Sequence, residues 1–372
     1  MNSALLKWVA AINVALVCAA ILFFSSAARP ARPSPPGTVI VSGTATLPAE
    51  LSSLANGKRI AYTTTALNGA TATATGLVMT PKSNRKNKTV VWGHGTTGLA
   101  DKCAPSASQA VFWPEARAAI AALLAKGWTV TAPDYPGLGT PGAHPYLVGL
   151  SEARAMIDSV KAARNLDNKL TTQYAIDGHS QGGQGALFAG QIAPAYDGAL
   201  VLKGVSSIAP VSNVQIFAPL IPGTPGQGYL VMGLYGLNAV NPAFDPNSVL
   251  AAPAKQKTSV LQSGCLYEVL AAYETLTAEE LLVGGALPQP VIDQLAANDD
   301  PAQSAPTAPV LLIQGTDDEA VPYGLTAGPL LDQLTGYQTQ PVDFVSVDGA
   351  NHDQTVFATT GQVADWIAAR FA

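Results

Sequence analysis

Hydrophobic and polar positions divide most of the chain into short β-branched runs and longer runs with helical spacing. The runs "RIAYTTTA" and "ATATATGLVMT" come close to strict alternation and are separated by Leu67-Asn68-Gly69, which predicts an antiparallel hairpin. After them, strand-like runs such as "TVVWGHG", "WTVTAPDYPG" and "YAIDGHS" alternate with helical ones. This alternation predicts an α/β fold, a mostly parallel twisted sheet with helices on both faces.

The strand–helix alternation stops near residue 211 and returns near residue 301. Between these points the chain is first rich in Pro and Gly and then helical in pattern, up to the loop "ANDDPAQSAPTAP". Because the sequence before and after completes one pattern, we expect residues 45–210 and 301–372 to form one α/β core. Residues 211–300 are then a helical cap inserted before the last strands, with an independent second domain as the alternative.

The N-terminus has the composition of an export signal. Lys7 is followed by an uncharged apolar run from Trp8 to Phe24 and then by small residues. We therefore predict a signal peptide at residues 1–28, with an uncleaved membrane anchor as the alternative. Residues 29–44 are expected to form a Pro- and Ala-rich linker. The predicted location is outside the cell or attached to the cell envelope.

Composition and charge exclude several other classes of function. The chain has 372 residues, a net charge of −5 and no long basic cluster, so we expect no nucleic-acid partner. It contains no P-loop, no His-Glu-x-x-His and no Cys-x-x-Cys motif. We therefore expect neither a cofactor nor a metal ion.

The cysteines bear on the same question of export. Only Cys103 and Cys265 remain once the predicted signal is removed, because Cys18 lies inside its apolar run. An even number of cysteines in an exported chain favours a disulfide between them. Two unpaired thiols, one of them buried, are the alternative.

One serine lies where a predicted strand turns into a predicted helix. Gly178-His179-Ser180-Gln181-Gly182 fits the pattern Gly-x-Ser-x-Gly, with an apolar run before it and an alanine-rich helical run after it. A sharp strand-to-helix turn strains the serine backbone, and the flanking glycines leave room for it. The hydroxyl of Ser180 is then held out at the carboxyl edge of the sheet. The pattern predicts a nucleophile.

A serine nucleophile needs a base within hydrogen-bond reach, and the chain has four histidines. In this kind of site the order along the chain is serine, acid, histidine. His94 and His144 precede the serine, and His179 adjoins it and is expected to point away. His352, in "DGANHDQT" after the last predicted strand, is therefore the predicted base.

The acid is expected after the penultimate strand, in "LLIQGTDDEAVPY". The spacing from the strand end favours Asp318, with Asp317 as the alternative. Its role would be to orient the imidazole and to stabilise its protonated form.

An acyl-transfer intermediate also needs hydrogen-bond donors for its oxyanion. The backbone N–H of Gln181, directly after the nucleophile, is one predicted donor. The second is expected in the loop "GHGTTG" after an earlier strand, where we choose the N–H of Thr96 over that of Thr97.

Taken together, these residues resemble the α/β-hydrolase superfamily and, more narrowly, the secretory lipase family, which includes fungal lipase A–type enzymes. The similarity runs from about Ile60 to the C-terminus and includes "GHGTTGLADKCAPS", "PDYPGLGTPGAHPYL", "GHSQGG", "GTDDEAVPY" and "DGANH". It implies an α/β-hydrolase fold with a helical cap and a triad of Ser180, Asp318 and His352. The loop from His94 to Gly98 differs from the fungal version, which has an acidic residue in the oxyanion region.

We therefore predict an exported serine hydrolase that cleaves carboxylic esters, including lipid esters, through an acyl-enzyme. An acyltransferase and a proline-type serine peptidase are the alternatives, because one fold and one triad serve many reactions. We expect a monomer, with a lipid or other ester as substrate. The apolar segment 216–238 leaves two readings open, a wall that meets acyl chains or a lipid interface and a core internal to the cap.

Overall fold

The computed structural model describes residues 34–372. The predicted signal peptide, residues 1–28, and the start of the predicted linker, residues 29–33, lie outside the described residues. Within the described part, no helix is both long and apolar enough to cross a lipid bilayer.

Nine strands form one mixed sheet in the part of the chain that is described. The strands are β1 Val39–Ala45, β2 Ala55–Thr65, β3 Thr71–Pro81, β4 Thr89–Gly93, β5 Thr129–Pro133, β6 Gln173–His179, β7 Val201–Ile208, β8 Val310–Gly315 and β9 Val342–Val347. Their order across the sheet is β1-β2-β3-β5-β4-β6-β7-β8-β9. The pairs β1–β2, β2–β3 and β3–β5 are antiparallel and all others are parallel. The predicted hairpin is β2–β3, and the predicted α/β fold class is confirmed.

The first strand corrects the predicted linker. Residues 39–44 were assigned to a linker over 29–44, but they lie in β1, paired along β2 from Val39 to Ala45. The prediction weighed the Pro and Ala content before Gly37 and overlooked the β-branched run "TVIV" that follows it. β1 is an edge strand, with Ile40 and Val41 more than half exposed, so its hydrophobic signal is weak.

Helices cover both faces of the sheet. In chain order the α-helices are α1 Ala49–Ser52, α2 Pro114–Ala125, α3 Gly149–Leu166, α4 Gln181–Tyr196, α5 Val214–Phe217, α6 Gln227–Val240, α7 Ala252–Lys255, α8 Val260–Ser263, α9 Leu266–Tyr273, α10 Ala278–Leu281, α11 Gln289–Asp299, α12 Tyr323–Leu325, α13 Leu331–Gly336 and α14 His352–Phe371. Short 3₁₀ turns lie at Asp101–Cys103, Gln109–Val111, Ala218–Leu220, Pro246–Ser248 and Val283–Gly285, and a π turn lies at Thr326–Leu330.

Alternate residues of the central strands feed two separate cores. Val91 and Ile176 pack with α3 and α4 on one face. Val90 and Ala175 pack with α2 and α14 on the other face. Strands buried on both faces are expected at the centre of a parallel sheet, because helices cover each side. The carboxyl ends of β4, β6 and β8 therefore meet at one edge, which is where the site lies.

Along the chain, helices α5 to α11 come between β7 and β8. They have a hydrophobic core of their own, to which Tyr146 and Leu147 contribute. A disulfide joins Cys103, after β4, to Cys265, at the start of α9. Beside it, the N–H of Leu266 donates a hydrogen bond to the carbonyl of Thr97 at 2.8 Å. This helical segment is thus tied to the loop that follows β4.

Candidate active site

Ser180 lies on a strained turn between β6 and α4. Its φ is 57° and its ψ is −119°, a conformation that residues with a side chain rarely adopt. A Cβ on Gly178 would lie 2.2 Å from the carbonyl oxygen of Gly182, and a Cβ on Gly182 would lie 2.1 Å from that of Gly93. Only glycine fits at these two positions, so the sequence pattern follows from the close approach of β4, β6 and α4.

Asp318 and His352 come together at the carboxyl end of β8 and the start of α14. The imidazole Nδ1 lies 2.7 Å from Asp318 Oδ2, which also accepts a hydrogen bond from Gln314 Nε2 at 2.8 Å. The other oxygen, Oδ1, accepts from the N–H groups of Ala320 and Val321 at 2.9 and 2.8 Å. These four donors fix the orientation of the buried carboxylate and, through it, the plane of the imidazole.

The neighbouring acid, Asp317, does not share this geometry. It is exposed, and its Oδ1 accepts a hydrogen bond from Thr316 Oγ1 at 3.1 Å. Its N–H donates to the carbonyl of Ala350 at 3.1 Å. The structure therefore places Asp318, and not Asp317, behind the imidazole of His352.

The other three histidines are buried and held neutral. Burial lowers the pKa of His94, lowers the pKa of His144 to about 3, and lowers the pKa of His179 well below its usual value. Since a general base must accept a proton in the reaction, these three are poorly suited to that role. The side chain of His352 keeps 17% of its surface exposed and has a carboxylate partner.

His179 packs against the candidate base, although sequence reasoning placed it away from the site. The rings of His179 and His352 have centroids 4.4 Å apart at an angle of 43°. His179 also forms a cluster with Glu115 of α2 and Asp353. One potential ligand atom from each of these three residues lies within 4.8 Å of the other two. This is the only such group among residues 34–372, and we assign it no metal. Burial raises the pKa of Glu115 to about 7.

The loop after β4 approaches Ser180 closely. A Cβ on Gly95 would lie 3.5 Å from Ser180 Cβ, and Thr96 lines the same cavity as Ser180. Thr96 is fixed through its hydroxyl, 2.8 Å from the hydroxyl of Tyr146, and through its carbonyl, which accepts from Trp113 Nε1 at 3.2 Å. Thr97 is absent from the described lining of the cavity. These contacts favour Thr96 as the second oxyanion donor.

Gln181, the residue after the candidate nucleophile, is anchored by two buried side chains that sequence reasoning had not connected to it. Its Nε2 donates to Glu152 Oε1 at 2.8 Å and to His144 Nε2 at 3.1 Å. His144 Nδ1 lies 2.8 Å from the carbonyl of Pro136, so the neutral ring donates from Nδ1 and accepts at Nε2. Burial raises the pKa of Glu152 to about 8.

A cavity of about 340 Å³ opens above Ser180. Its walls are mainly apolar and come from the segment before α3, from α5 to α6, from α11 and from residues 319–322. Apolar residues of these walls include Leu147, Val214, Phe217, Leu220, Ile221 and Leu230. Ser180 Oγ forms no hydrogen bond within the described residues, which is common for a nucleophile in a free enzyme. The volume of the cavity is within the range of small-molecule sites.

Comparison with known proteins places this site in a family. Residues 115–372 match the family model described as secretory lipase. Secreted triacylglycerol lipase LIP7 of Malassezia globosa is 26% identical over 316 residues, which cover 78% of this chain and 66% of that protein. Secreted triacylglycerol lipase LIP1 of Malassezia furfur is 25% identical, covering 66% of this chain and 53% of that protein. The chain thus spans 53% to 66% of the length of these two curated relatives.

Two solved structures share the fold at lower identity. The closed state of Candida antarctica lipase A superposes with a TM-score of 0.73 at 21% identity, covering 86% of this chain and 78% of that chain. The rice cell wall degrading esterase LipA from Xanthomonas oryzae gives a TM-score of 0.74 at 21% identity, covering 91% and 98%. The family model matches more than half of the chain and the fold agrees with it. The chain belongs to the secretory lipase family.

Proposed function

We propose that the protein is an exported hydrolase that cleaves carboxylic esters through an acyl-enzyme on Ser180. The observation that carries this proposal is the hydrogen bond between Asp318 and His352, at the sheet edge where Ser180 is held on its strained turn. Serine, imidazole and carboxylate in this order are the parts of an acyl-transfer site.

Each residue has one role in the proposed reaction. His352 Nε2 takes the proton of the Ser180 hydroxyl while the oxygen attacks the ester carbonyl, and Asp318 stabilises the imidazolium that forms. The N–H groups of Gln181 and Thr96 bind the oxyanion. His352 then gives the proton to the departing alcohol. Water, activated by the same imidazole, releases the acid and restores the serine.

The cavity supports an acyl chain of medium or greater length as the group that binds next to Ser180. Its mainly apolar walls offer an acyl chain contacts that replace water. The two curated relatives described above are triacylglycerol lipases by name, and one structural relative is an esterase. We therefore propose lipid esters as the first substrates to test.

The surface near the cavity supports transient contact with a lipid interface. Ile216 and Leu220, on and just after α5, expose 52% and 65% of their surface, and Leu220 also lines the cavity. Exposed apolar side chains beside a site entrance are typical of a surface that meets lipid or protein. Export is proposed from the secretory family and from the secreted relatives. The predicted monomer stays a prediction.

Product analysis tests the proposed reaction. Purified protein is given a p-nitrophenyl ester, a proline-containing peptide and an added alcohol, with Ser180→Ala as the control. We expect free acid from the ester, no cleavage of the peptide, and loss of at least about 10³-fold in kcat for the control. Mainly transesterified product would support an acyltransferase, and peptide cleavage would support a peptidase.

A further inference from the structure

One buried acid in the cavity has no role in the proposed mechanism. Asp299, the last residue of α11, lines the cavity and is 5% exposed. Its carboxyl oxygens form no hydrogen bond within residues 34–372. They are not fully enclosed by protein, and they face the cavity. The next residue, Asp300, differs in that its Oδ1 accepts from the N–H of Val214 at 2.7 Å.

The position of Asp299 is fixed relative to the nucleophile. Gln184 Nε2 donates to the backbone carbonyl of Asp299 at 2.7 Å and to that of Leu147 at 2.8 Å. Gln184 lies one helical turn after Ser180, and its N–H donates to the Ser180 carbonyl at 3.0 Å. Asp299 is therefore tied to the helix that follows the nucleophile, and it lines the same cavity as Ser180.

A buried carboxyl without a partner is costly. Once an acyl chain fills the cavity and displaces water, a polar group left unsatisfied in this apolar setting costs about 1–3 kcal/mol. Leu295, one turn earlier on the same helix face, lines the cavity with an apolar side chain, as the other walls do. A polar ligand group that completes the hydrogen bonds of Asp299 would explain why an acid lies there.

From this placement we infer that the cavity selects acyl groups that carry a hydroxyl on the chain, with Asp299 as the residue that recognises the hydroxyl. The inference rests on the proposed ester hydrolysis and adds the class of acid to it. A hydroxyl both donates and accepts, which matches a protonated carboxyl, whereas a methylene can do neither.

The charge state of Asp299 favours a hydroxyl over an ammonium group. Burial, together with the nearby carboxyls of Asp300 and Glu152, raises its pKa well above the usual value. This shift favours the uncharged acid, which can donate one hydrogen bond and accept another. An ammonium ligand would require two charges in an apolar cavity, and their desolvation opposes binding.

The test compares pairs of p-nitrophenyl esters of equal chain length, plain and hydroxylated, with the hydroxyl placed progressively further from the carbonyl. We expect wild-type protein to prefer the hydroxylated ester at one position of the hydroxyl along the chain. Asp299→Leu should lower the ratio of kcat/KM for hydroxylated over plain ester by about 10-fold or more, since the leucine leaves the hydroxyl unpaired. Asp299→Asn, which still donates and accepts, should stay within a few-fold of wild type.

Asp293→Leu is the matched control, because Asp293 lies exposed on the same helix. Its ratio should equal that of wild type. A ratio that is unchanged in Asp299→Leu, or a preference for amino-substituted over hydroxylated chains, would overturn the inference and leave ester hydrolysis standing.

Binding provides a readout that does not depend on hydrolysis. Calorimetry on Ser180→Ala should show tighter binding of a free hydroxylated fatty acid than of the plain acid, and Asp299→Leu in the same background should abolish the difference. Equal affinities would contradict the role of Asp299. If wild-type protein hydrolyses no ester at all, the proposed function fails, and this binding difference still decides the inference.

Discussion

At the scale of single residues, the buried carboxyl groups of this protein differ in how many hydrogen bonds they accept. Asp318 accepts four hydrogen bonds, whereas Glu152 and Asp299 are buried among apolar groups and neighbouring acids. Glu152 accepts from Gln181 Nε2 and from the N–H of Leu147, but burial outweighs these two donors and raises its pKa. The same side-chain chemistry therefore serves different purposes a short distance apart.

Replacement of Asp318 by Asn tests whether the Asp318 carboxylate supports His352 in the reaction. The amide keeps the shape but cannot stabilise the imidazolium, so we expect kcat to fall by about 10³–10⁴-fold. Asp317→Asn, one residue earlier and exposed, is the control and should remain within about twofold of wild type, as expected for a surface position. Steady-state kinetics on one ester measures both, and equal losses in the two variants would reject the assignment.

Glu152 makes folding stability depend on pH. Its pKa is about 8 in the folded protein against an ordinary 4.5, so between pH 4.5 and pH 8 the folded state binds more protons than the unfolded state. The free energy of unfolding therefore falls as pH rises through this window. Glu152→Gln should reduce that fall in urea titrations at several pH values, while the exposed Glu274→Gln should not. An unchanged pH dependence in Glu152→Gln would contradict the raised pKa.

Sequence reasoning could name the residues that carry a motif, but it missed those that act through burial. Ser180, Asp318 and His352 follow strand ends in a fixed order, so their positions can be read from the chain. Gln181 has two partners, His144 and Glu152, and both lie far from it in sequence. Nothing in "GLSEARAMI" indicates that its glutamate is buried. Asp299 was predicted to lie in the loop "ANDDPAQSAPTAP", whereas it is the last residue of α11.

Among the elements, the turn between β6 and α4 has the strictest requirements. It needs a serine at positive φ and glycines where β4 comes within contact distance of α4. The requirement lies in the backbone, so no rotamer change can relieve it. This is why the motif is strongly marked in the sequence.

An alanine at Gly182 tests the turn. The new Cβ would lie 2.1 Å from the carbonyl oxygen of Gly93, so we expect a loss of more than about 2 kcal/mol in the free energy of unfolding, together with loss of activity. Gly361→Ala, in the middle of α14 with no neighbour within 4 Å, is the control and should stabilise the protein by about 0.5–1 kcal/mol. Similar stability changes in the two variants would contradict the packing described.

Hydrophobic periodicity predicted the strands best where each face of the strand has one constant environment along its length. The hairpin β2–β3 and the buried central strands have clear patterns because each face meets a defined environment. β1 was missed because an edge strand is half exposed and followed a Pro-rich stretch. Helices α5 to α11 are short and irregular, so the sequence indicated helices between residues 211 and 300 without giving their bounds.

For the whole molecule, the important feature is that distant parts of the chain are tied around one edge of the sheet. The disulfide joins residues 162 positions apart, and the hydrogen bond from Leu266 to Thr97 lies beside it. The loop that carries the proposed oxyanion donor is thus fastened to the helices that form the cavity wall.

Replacement of both Cys103 and Cys265 by serine tests this connection. We expect the free energy of unfolding to fall by about 2–5 kcal/mol, because the bond restricts the unfolded chain. Reductant should destabilise wild-type protein towards the variant and leave the variant unchanged. Urea titrations measure all four conditions, and a variant as stable as oxidised wild type would contradict a stabilising role for the bond.

The central claim is that the folded chain makes the hydroxyl of Ser180 reactive through His352. Labelling with a fluorophosphonate, read by intact-mass and peptide mass spectrometry, tests it most directly because the reagent reports the nucleophile itself. We predict one label per chain, located on Ser180, and a labelling rate lowered by several orders of magnitude in His352→Ala. Folded wild-type protein that takes no label at Ser180, or labels at the same rate without His352, would contradict the account.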